Sequence, residues 1–430
     1  MSNSRLAIIS LSIVLIVSLF GAFYFFRRAD LGAKTPLTFW GVYDDAESFS
    51  SAIAGFQKLY PNISVNYVKK DETTYESDLL NALALDEAPD IIMIHNSWLP
   101  KYANKLASAP DTAVSIKTLR DSFPGVVEQD FTASGKIFAL PLNLDTLALF
   151  YNKKLFNSQN IAFPPATWDE FSDDSAKLKK INQAGKIERA GAAFGGSADS
   201  INRESDILSL LMLQSGAAMV KDDFSEASFF HSGENGQYPG QNALNFYVSF
   251  ANPKSSNYTW NDNLHYSIDA FSEGSAAMMI NYSHKINEVK TKNPFLDFGV
   301  APVPQLKGAD IQVNYPDYWG AAVLSKSKNT SASWTFTSYL SLNLDAANSY
   351  FQTTKRPPAL RSLISSCQND PDIGSFCSQS LSARSWPKID NNKIDIIFSD
   401  MIKSILSGKL SSSDALRQAE DNVTLLMKQL

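Results

Sequence analysis

Apolar and polar positions follow two periods in the first hundred residues, and together they predict an α/β arrangement. Leu37–Val42 and Pro89–Ile94 are short apolar runs typical of buried strands, and residues 63–67 alternate as a half-buried strand does. Between these strands, residues 44–61 and 74–85 repeat apolar side chains at helical spacing. The order strand, helix, strand, helix, strand predicts an open α/β sheet.

Polar and aromatic side chains directly follow two of these strands. Tyr43 and Asp44 come after the first strand, and His95, Asn96 and Trp98 come after the third. Ligands of open α/β sheets lie beyond the carboxyl ends of the strands, so these residues are candidates for a binding cleft. The alternative is that they are ordinary loop residues and that Trp98 covers a core.

The rest of the chain predicts a second α/β region that is rich in helices. Thr167 and Glu170 have the spacing of a capping box, which marks the start of a helix. Apolar runs at 276–281, 298–304 and 318–324 predict further short strands. A chain of 430 residues is longer than one hydrophobic core usually organises, so two lobes are expected.

The N-terminal segment Leu6–Phe26 contains no charged residue and is long enough to span a bilayer. We therefore predict a single-pass membrane anchor with a short tether, over residues 1–33. A signal peptide cleaved after Ala33 is the alternative. Arg27, Arg28 and Lys34 favour a cytoplasmic main domain by the positive-inside rule, but the resemblance described below outweighs that bias.

Charge and motif content argue against several classes of function. Lys and Arg residues are scattered and the formal net charge is -6, which argues against a nucleic-acid partner. The 4 histidines lie far apart without metal-ligand spacing, so no metal or other cofactor is expected. The sequence lacks the motifs of serine hydrolases, zinc peptidases and nucleotide-binding loops, and we predict that it is not an enzyme.

Two cysteines, Cys367 and Cys377, flank a loop that contains Pro, Gly and Asp residues. A pair at this spacing predicts a local disulfide and an oxidising compartment. Two unrelated buried thiols are the alternative.

Several stretches together resemble the extracellular solute-binding proteins of ABC importers, the maltose-binding-protein-like family. Each stretch alone is loose, and the resemblance rests on their order and spacing from Leu37 nearly to the C-terminus. The stretches are "LTFW", "GFQKLYPNISV", "APDIIMI", "GKIFALPLNLDTLALFYNKKLF", "PPATWDEF", "FSEGSAAMMIN", "FGVAPVPQLKG" and "WGAAVLSKSK".

The resemblance implies a two-lobed periplasmic-binding-protein fold of type II, with an open α/β sheet flanked by helices in each lobe. The first lobe would comprise residues 34–143 and 302–322, and the second lobe residues 144–301 and 323–430. Crossings between the lobes are expected in "LPLNLDTLALFYNK", "FGVAPVP" and "GAAVLSKSK". Asp145, a single carboxylate in an apolar stretch, would then face the cleft and accept ligand hydroxyls; a turn residue capping the next element is the alternative.

The ligand implied is a mono- or oligosaccharide, because aromatic faces together with charged and amide side chains bind sugars. Trp319 resembles an aromatic that many sugar-binding members carry before a Gly, and Arg356 lies in a segment resembling the cleft rim. Burial in a core is the alternative for each aromatic residue. The residues expected to bind the ligand are Trp40, Tyr43, Asp44, His95, Asn96, Trp98, Asp145, Tyr282, His284, Trp319, Arg356 and Trp386.

The function implied is a monomeric, membrane-anchored binding protein on the extracytoplasmic face that delivers its solute to the permease subunits of an ABC importer. His284 stands where maltose-binding proteins carry a stacking Trp, which argues against maltose itself. Two alternatives stay open. One is a non-sugar solute such as a peptide, a polyamine or a metal ion, and the other is a hydrolase or sensor ectodomain on the same fold.

Overall fold

The computed structural model describes residues 34–233 and 236–429. The predicted anchor Leu6–Phe26 lies outside these residues. Within them, none of the helices has the length and apolar character that a membrane crossing requires.

The strands of the described residues include the three that the apolar runs predicted near the N-terminus. In chain order they are β1 (Thr35–Gly41), β2 (Ile63–Lys69), β3 (Ile91–His95), β4 (Leu106–Ala107), β5 (Thr132–Ala133), β6 (Lys136–Ile137), β7 (Ala139–Pro141), β8 (Asp145–Thr146), β9 (Ala148–Asn152), β10 (Lys180–Ile181), β11 (Ile187–Arg189), β12 (Met278–Asn281), β13 (Phe298–Pro302), β14 (Pro316–Asp317) and β15 (Trp319–Leu324).

Helices fill most of the remaining chain. The predicted capping box is confirmed, because the Thr167 hydroxyl accepts a hydrogen bond from the Glu170 amide and the Glu170 carboxylate accepts one from the Thr167 amide. The α-helices are α1 (Glu47–Leu59), α2 (Tyr75–Ala84), α3 (Leu99–Tyr102), α4 (Ile116–Ser122), α5 (Gly125–Phe131), α6 (Lys153–Ser158), α7 (Trp168–Leu178), α8 (Glu204–Gln214), α9 (Pro239–Ser249), α10 (Ser267–Glu273), α11 (Lys285–Lys292), α12 (Thr330–Leu342), α13 (Leu344–Thr354), α14 (Arg361–Cys367), α15 (Gly374–Gln379), α16 (Asn391–Leu406) and α17 (Ser412–Met427).

The first lobe is built on a sheet with the strand order β2-β1-β3-β15-β4, to which β7 adds by pairing with β15. β1 runs parallel to β2 and β3, whereas β15 runs antiparallel to β3 with Trp319 opposite His95. The end of β3 and the start of β15 therefore meet at one edge of the sheet, where the sequence predicted a binding cleft.

A smaller antiparallel sheet, ordered β12-β9-β13, lies at the centre of the second lobe. Between the lobes, β8 and β14 form a two-stranded ladder with Asp145 opposite Asp317. This ladder joins two segments of the chain that cross from one lobe to the other, and it places two carboxylates side by side beneath the cleft.

Buried apolar side chains form two clusters, one in each lobe. The first-lobe cluster contains Phe39 of β1 together with Trp334 of α12 and Tyr350 of α13. We expected residues 323–430 in the second lobe, but α12 follows β15 and packs against it, so these helices cover the first sheet. We propose that residues 318–363 belong to the first lobe.

The chain passes from one cluster to the other at places that differ in part from the expectation. The first passage, between Leu144 and Leu147, lies in the expected segment. Two further passages lie between Tyr315 and Tyr318 and between Leu363 and Ile364, and the single residues Phe351 and Ala383 each pack in the other cluster from their chain neighbours. The segments expected to cross there, "FGVAPVP" and "GAAVLSKSK", instead contribute β13 to the second lobe and β15 to the first sheet.

The predicted disulfide is confirmed. Cys367 at the end of α14 is bonded to Cys377 in α15. Both residues are buried in the second-lobe cluster, just beyond the last passage between the lobes. The bond therefore ties the returning chain to the second lobe.

Candidate functional site

Two adjoining cavities lie in the cleft between the lobes. The larger has a volume of about 360 Å³ and the smaller about 250 Å³. The residues that line both cavities are Tyr43, Glu72, Arg203, Asp317 and Trp319. We call the larger one the aromatic cavity, after Tyr75, Trp98 and Trp319. We call the smaller one the basic cavity, after His284, Lys285 and Arg356.

Aromatic rings from three strand ends form the first-lobe wall of the aromatic cavity. Trp98 follows β3 and stacks on Tyr75 of α2, with ring centroids 6.0 Å apart. Trp319 at the start of β15 meets Trp98 edge to face at 5.2 Å and Tyr43 at 5.5 Å. The neighbouring rings fix one another, so Trp98 and Trp319 present preset apolar surfaces to the cavity.

Charged and amide side chains form the rest of the aromatic cavity. Glu76 accepts hydrogen bonds from the Lys101 ammonium group at 2.6 Å and from the Tyr102 hydroxyl at 2.7 Å. Asp390 and Asn391, at the start of α16, face this pair from the second lobe. The cavity therefore offers hydrogen-bonding groups opposite its aromatic wall.

A partly buried network centred on Asp317 joins the lobes at the boundary of the two cavities. The Asp317 carboxylate lies 2.8 Å from His95 Nε2 and 3.2 Å from an Arg203 Nη atom. Burial alone would raise the pKa of Asp317, but the charge of Arg203 and the hydrogen bond from His95 hold it well below its usual range. Asp317 is therefore a permanent anion across the pH range of most cells.

Direct hydrogen bonds also link the first lobe to the second around His95. The Asn391 amide group donates to His95 Nδ1 at 2.9 Å, and its oxygen accepts from the Ser97 hydroxyl at 2.7 Å. These contacts tie the start of α16 directly to the end of β3.

The basic cavity lies on the other side of Trp319. Asp145 is buried there, and its Oδ2 accepts hydrogen bonds from both the amide and the hydroxyl of Ser283, at 2.9 and 2.6 Å. His284, Lys285 and Arg356 bring basic side chains to the same space. Asp145 thus lies at the first passage between the lobes and lines this cavity, and Ser283 occupies one of its oxygens.

Arg356 is anchored from behind by Asp44. The Nε atom of Arg356 donates to one Asp44 oxygen at 3.0 Å, and the Tyr350 hydroxyl donates to the other at 2.7 Å. Asp44 is itself buried and lines neither cavity. It therefore positions the arginine and does not face the ligand space.

Seven of the residues expected to bind a ligand line the two cavities, and five do not. The seven are Tyr43, His95, Trp98, Asp145, His284, Trp319 and Arg356. The five are Trp40, Asp44, Asn96, Tyr282 and Trp386.

Asp44 was described above, and each of the other four residues that line neither cavity makes contacts that hold it in a core or at the surface. Trp386 is 3% exposed, stacks on Phe398 in the second-lobe cluster and donates its indole N–H to Ser209. Tyr282 is fully buried and donates to Asp206.

The remaining two residues, Trp40 and Asn96, belong to the first lobe. Lys70 covers the ring of Trp40 at 3.7 Å. The side-chain amide of Asn96, which is buried behind the cleft, donates to Asp130.

Sequence reasoning missed several residues that line the cavities. Asp317 stands two positions before Trp319, and an acidic residue so close to a candidate binding aromatic could have identified it as a further candidate. Arg203 has a positive φ of 64° and directly precedes α8, and no sequence feature pointed to it. The other lining residues that were missed include Glu72, Tyr75, Glu76, Lys101 and Asn391.

Within the described residues, no group of three or more His, Cys, Asp or Glu side chains has the geometry to hold a metal ion.

Comparison with protein families gives one clear match. Residues 51–374 match the profile of the family described as bacterial extracellular solute-binding protein. The matched region contains the second-lobe sheet, the first-lobe sheet except β1, the ladder between β8 and β14, and most of the residues that line the cavities.

Related proteins of known name align over most of the chain. A maltotriose-binding protein of Pyrococcus abyssi is 24% identical over 77% of this chain and 66% of its own length. A galactooligosaccharide-binding protein of Bacillus subtilis is 22% identical over 90% of this chain and 88% of its own.

Solved structures share the two-lobed fold. The sugar-binding protein MalE of Xanthomonas citri superposes with a TM-score of 0.75 at 23% identity, over 92% of this chain and 98% of that one. The cyclic alpha-maltosyl-1,6-maltose binding protein of Arthrobacter globiformis gives 0.77 at 20% identity, over 92% and 100%. The predicted fold class of the two lobes is confirmed.

Proposed function

Because the chain belongs to the bacterial extracellular solute-binding proteins, we propose that it captures a carbohydrate in the cleft between its lobes. The observation that carries this proposal is the wall of Trp98, Trp319 and Tyr43, which faces hydrogen-bonding side chains of the other lobe. Aromatic faces bind the C–H surfaces of sugars, and charged or amide groups bind their hydroxyls. Members of the family bind solutes and are not enzymes.

The named relatives support a sugar as the solute. Maltotriose and galactooligosaccharides are named as ligands of two of them, and both are chains of neutral sugars. The larger cavity, at about 360 Å³, lies at the lower end of the usual size of ligand pockets, and the smaller, at about 250 Å³, lies just below it. The wall of Trp319 and Tyr43 divides the space, so a ligand of two or more sugar units would occupy both parts.

The proposal extends to transport. We propose that the protein works as a monomer, that Leu6–Phe26 anchors it to the membrane, and that it presents its ligand on the extracytoplasmic face to an ABC importer permease. The disulfide between Cys367 and Cys377 supports an oxidising compartment. Protease added to intact cells should release a fragment close to the mass of the two lobes. Full protection of the lobes would contradict this placement.

A thermal-shift screen of the full chain in mild detergent tests the binding function. Mono- and oligosaccharides should be compared with amino acids, polyamines, short peptides and divalent metal ions. A ligand at 100 times its Kd stabilises the folded state by about 2.7 kcal/mol, which such a screen detects readily. Stabilisation by a peptide, a polyamine or a metal ion and by no sugar would replace the carbohydrate proposal with a different solute class.

A further inference from the structure

We propose that the basic cavity binds a carboxylate, so that the preferred ligand is an acidic oligosaccharide with a uronic acid at one end. This inference rests on the proposed function and names the substrate class of the same cleft. It follows from the hydrogen-bonding groups that remain free in each of the two cavities.

Arg356 supplies the most specific donor in the basic cavity. Its Nε atom is bound to Asp44, which fixes the plane of the guanidinium group. In the described part of the chain its Nη atoms make no hydrogen bond, and the residue lines the cavity. A guanidinium held in this way presents a rigid pair of N–H groups, the geometry that suits both oxygens of a carboxylate.

His284 and Lys285 add basic groups beside Arg356. His284 Nδ1 lies 3.9 Å from the nearest Asp145 oxygen, which is too far for a hydrogen bond. The Lys285 ammonium group is 2.9 Å from Glu288 and also lines the cavity. These side chains therefore add positive charge or N–H donors around the same space.

The carboxylates of the basic cavity are already engaged by protein groups. Asp145 accepts from Ser283 and from the amide of Thr146, and Asp317 pairs with His95 and Arg203. Glu72 accepts from the Tyr43 hydroxyl at 2.7 Å. A neutral sugar hydroxyl needs an acceptor as well as a donor, whereas a carboxylate only accepts. The free groups of this cavity therefore favour an anion.

The aromatic cavity has the opposite character. Five carboxylates line it, against the two cations Lys101 and Arg203; the carboxylates are those of Glu72, Glu76, Asp317, Asp390 and Asp395. An anionic ring placed there would meet like charges, whereas a neutral ring would stack on Trp98 or Trp319. The cleft thus gives the ligand a direction, with its neutral part against the tryptophans and its acidic end beside Arg356.

Calorimetric titration of the full chain in detergent with matched sugar pairs tests the proposal. The probes are digalacturonate with galactobiose, and glucuronosyl-glucose with cellobiose. In low salt the acidic member of at least one pair should bind about tenfold to hundredfold more tightly, the range expected for hydrogen bonds to a charged group. Part of that preference should disappear in 0.5 M NaCl because salt screens the charges.

Variants then assign the preference to the basic cavity. Arg356→Gln should reduce the preference for the acidic sugar to less than about threefold, because the acidic sugar loses a bidentate charged contact and the neutral sugar loses at most a single hydrogen bond. Arg120→Gln is the matched control, because Arg120 pairs with Glu128 at the surface and neither residue lines either cavity. Since Arg356→Gln leaves Asp44 without its cation, the double variant Asp44→Asn with Arg356→Gln and the single variant His284→Gln serve if the first does not fold.

Three results would count against the proposal. Equal or tighter binding of the neutral sugars would overturn it and leave the proposed function intact. An acidic preference that survives in Arg356→Gln and His284→Gln would place the anion elsewhere and also overturn it. Failure of every sugar to bind, together with binding of another solute class, would overturn the proposed function and this inference with it.

Discussion

The first-lobe wall of the cleft presents the rings of Trp98, Trp319 and Tyr43, whereas Arg203, Asn391 and other polar side chains form the second-lobe wall. The second lobe does not lack aromatic residues near the cleft. Tyr282 lies behind its wall, with its ring centre 5.2 Å from the Arg203 guanidinium, and Trp386 belongs to the same lobe, but both rings are buried in the core. The two lobes therefore differ in which side chains they leave exposed, and not in which residue types they contain.

This difference indicates that the two lobes make different contributions to binding. A preset aromatic wall offers an apolar surface whether or not the second lobe is close. The hydrogen bonds of Asn391 and the ion pair of Arg203 require both lobes. Since a ligand shifts an open–closed equilibrium only through its differential affinity for the two states, contacts made by the second lobe decide closure.

The largest expected effect comes from Trp386→Ala, which tests whether the second-lobe tryptophan is a core residue. Removal of this buried ring should lower the free energy of unfolding by about 3–5 kcal/mol. Urea denaturation measures the loss directly. Unchanged stability together with weakened ligand binding would show that Trp386 contacts the ligand, and the two lobes would then not differ in the exposure of their aromatic rings.

A second effect concerns Glu204, a buried carboxyl group that directly follows Arg203 in the second lobe. Burial, followed by the nearby charge of Asp395, raises the pKa of Glu204 to about 8. Because the folded state then binds a proton that the unfolded state releases, stability is highest below about pH 4 and falls as the pH rises towards 8. Between pH 5 and 7.5 the loss from this group should be about 3 kcal/mol.

Glu204→Gln should remove this pH dependence and stabilise the protein most near pH 8. Unfolding by urea at a series of pH values gives the comparison, and Glu188→Gln at an exposed ion pair is the control. An unchanged slope in the Glu204 variant would show that its carboxylate ionises normally in the folded protein.

Trp319→Ala tests the first-lobe wall and should affect binding more than folding. Loss of one aromatic face should weaken sugar binding by about 1–3 kcal/mol, a tenfold to hundredfold change in Kd. The melting temperature without ligand should fall by less than it does in Trp386→Ala, because Trp319 is only partly buried. An equal fall in melting temperature for both variants would show that the two tryptophans have the same structural role.

The smallest expected effect is that of Asn391→Ala, which removes the amide that joins α16 to His95 and Ser97. Each hydrogen bond contributes about 0.5–1.5 kcal/mol, so closure and ligand affinity should weaken severalfold. Small-angle scattering with and without ligand measures the degree of closure. An unchanged affinity would mean that the contact forms only after the ligand is fully held.

Local patterns were sufficient to predict the strands that end in the cleft, and with them Tyr43, His95 and Trp98. They could not separate Trp319 from Trp386, because the burial of an aromatic ring depends on packing between distant segments. Arg203 was missed for the same reason, since its partner Asp317 is far away in the sequence. The proposed transfer of α12 and α13 to the first lobe could not be read from the sequence, because they look like any amphipathic helices until the position of β15 in the first sheet is known.

The position of β15 also has a consequence for biogenesis. This strand lies between β3 and β4, yet more than two hundred residues of chain separate it from them. As the chain emerges from its N-terminus, β1, β2, β3 and β4 become free to fold long before the strand that fills the gap, and until then β3 exposes an unpaired edge that invites aggregation. The N-terminal lobe of the sequence can finish folding only after most of the other lobe has been translated, so the usual order of domain folding during synthesis does not apply to this chain.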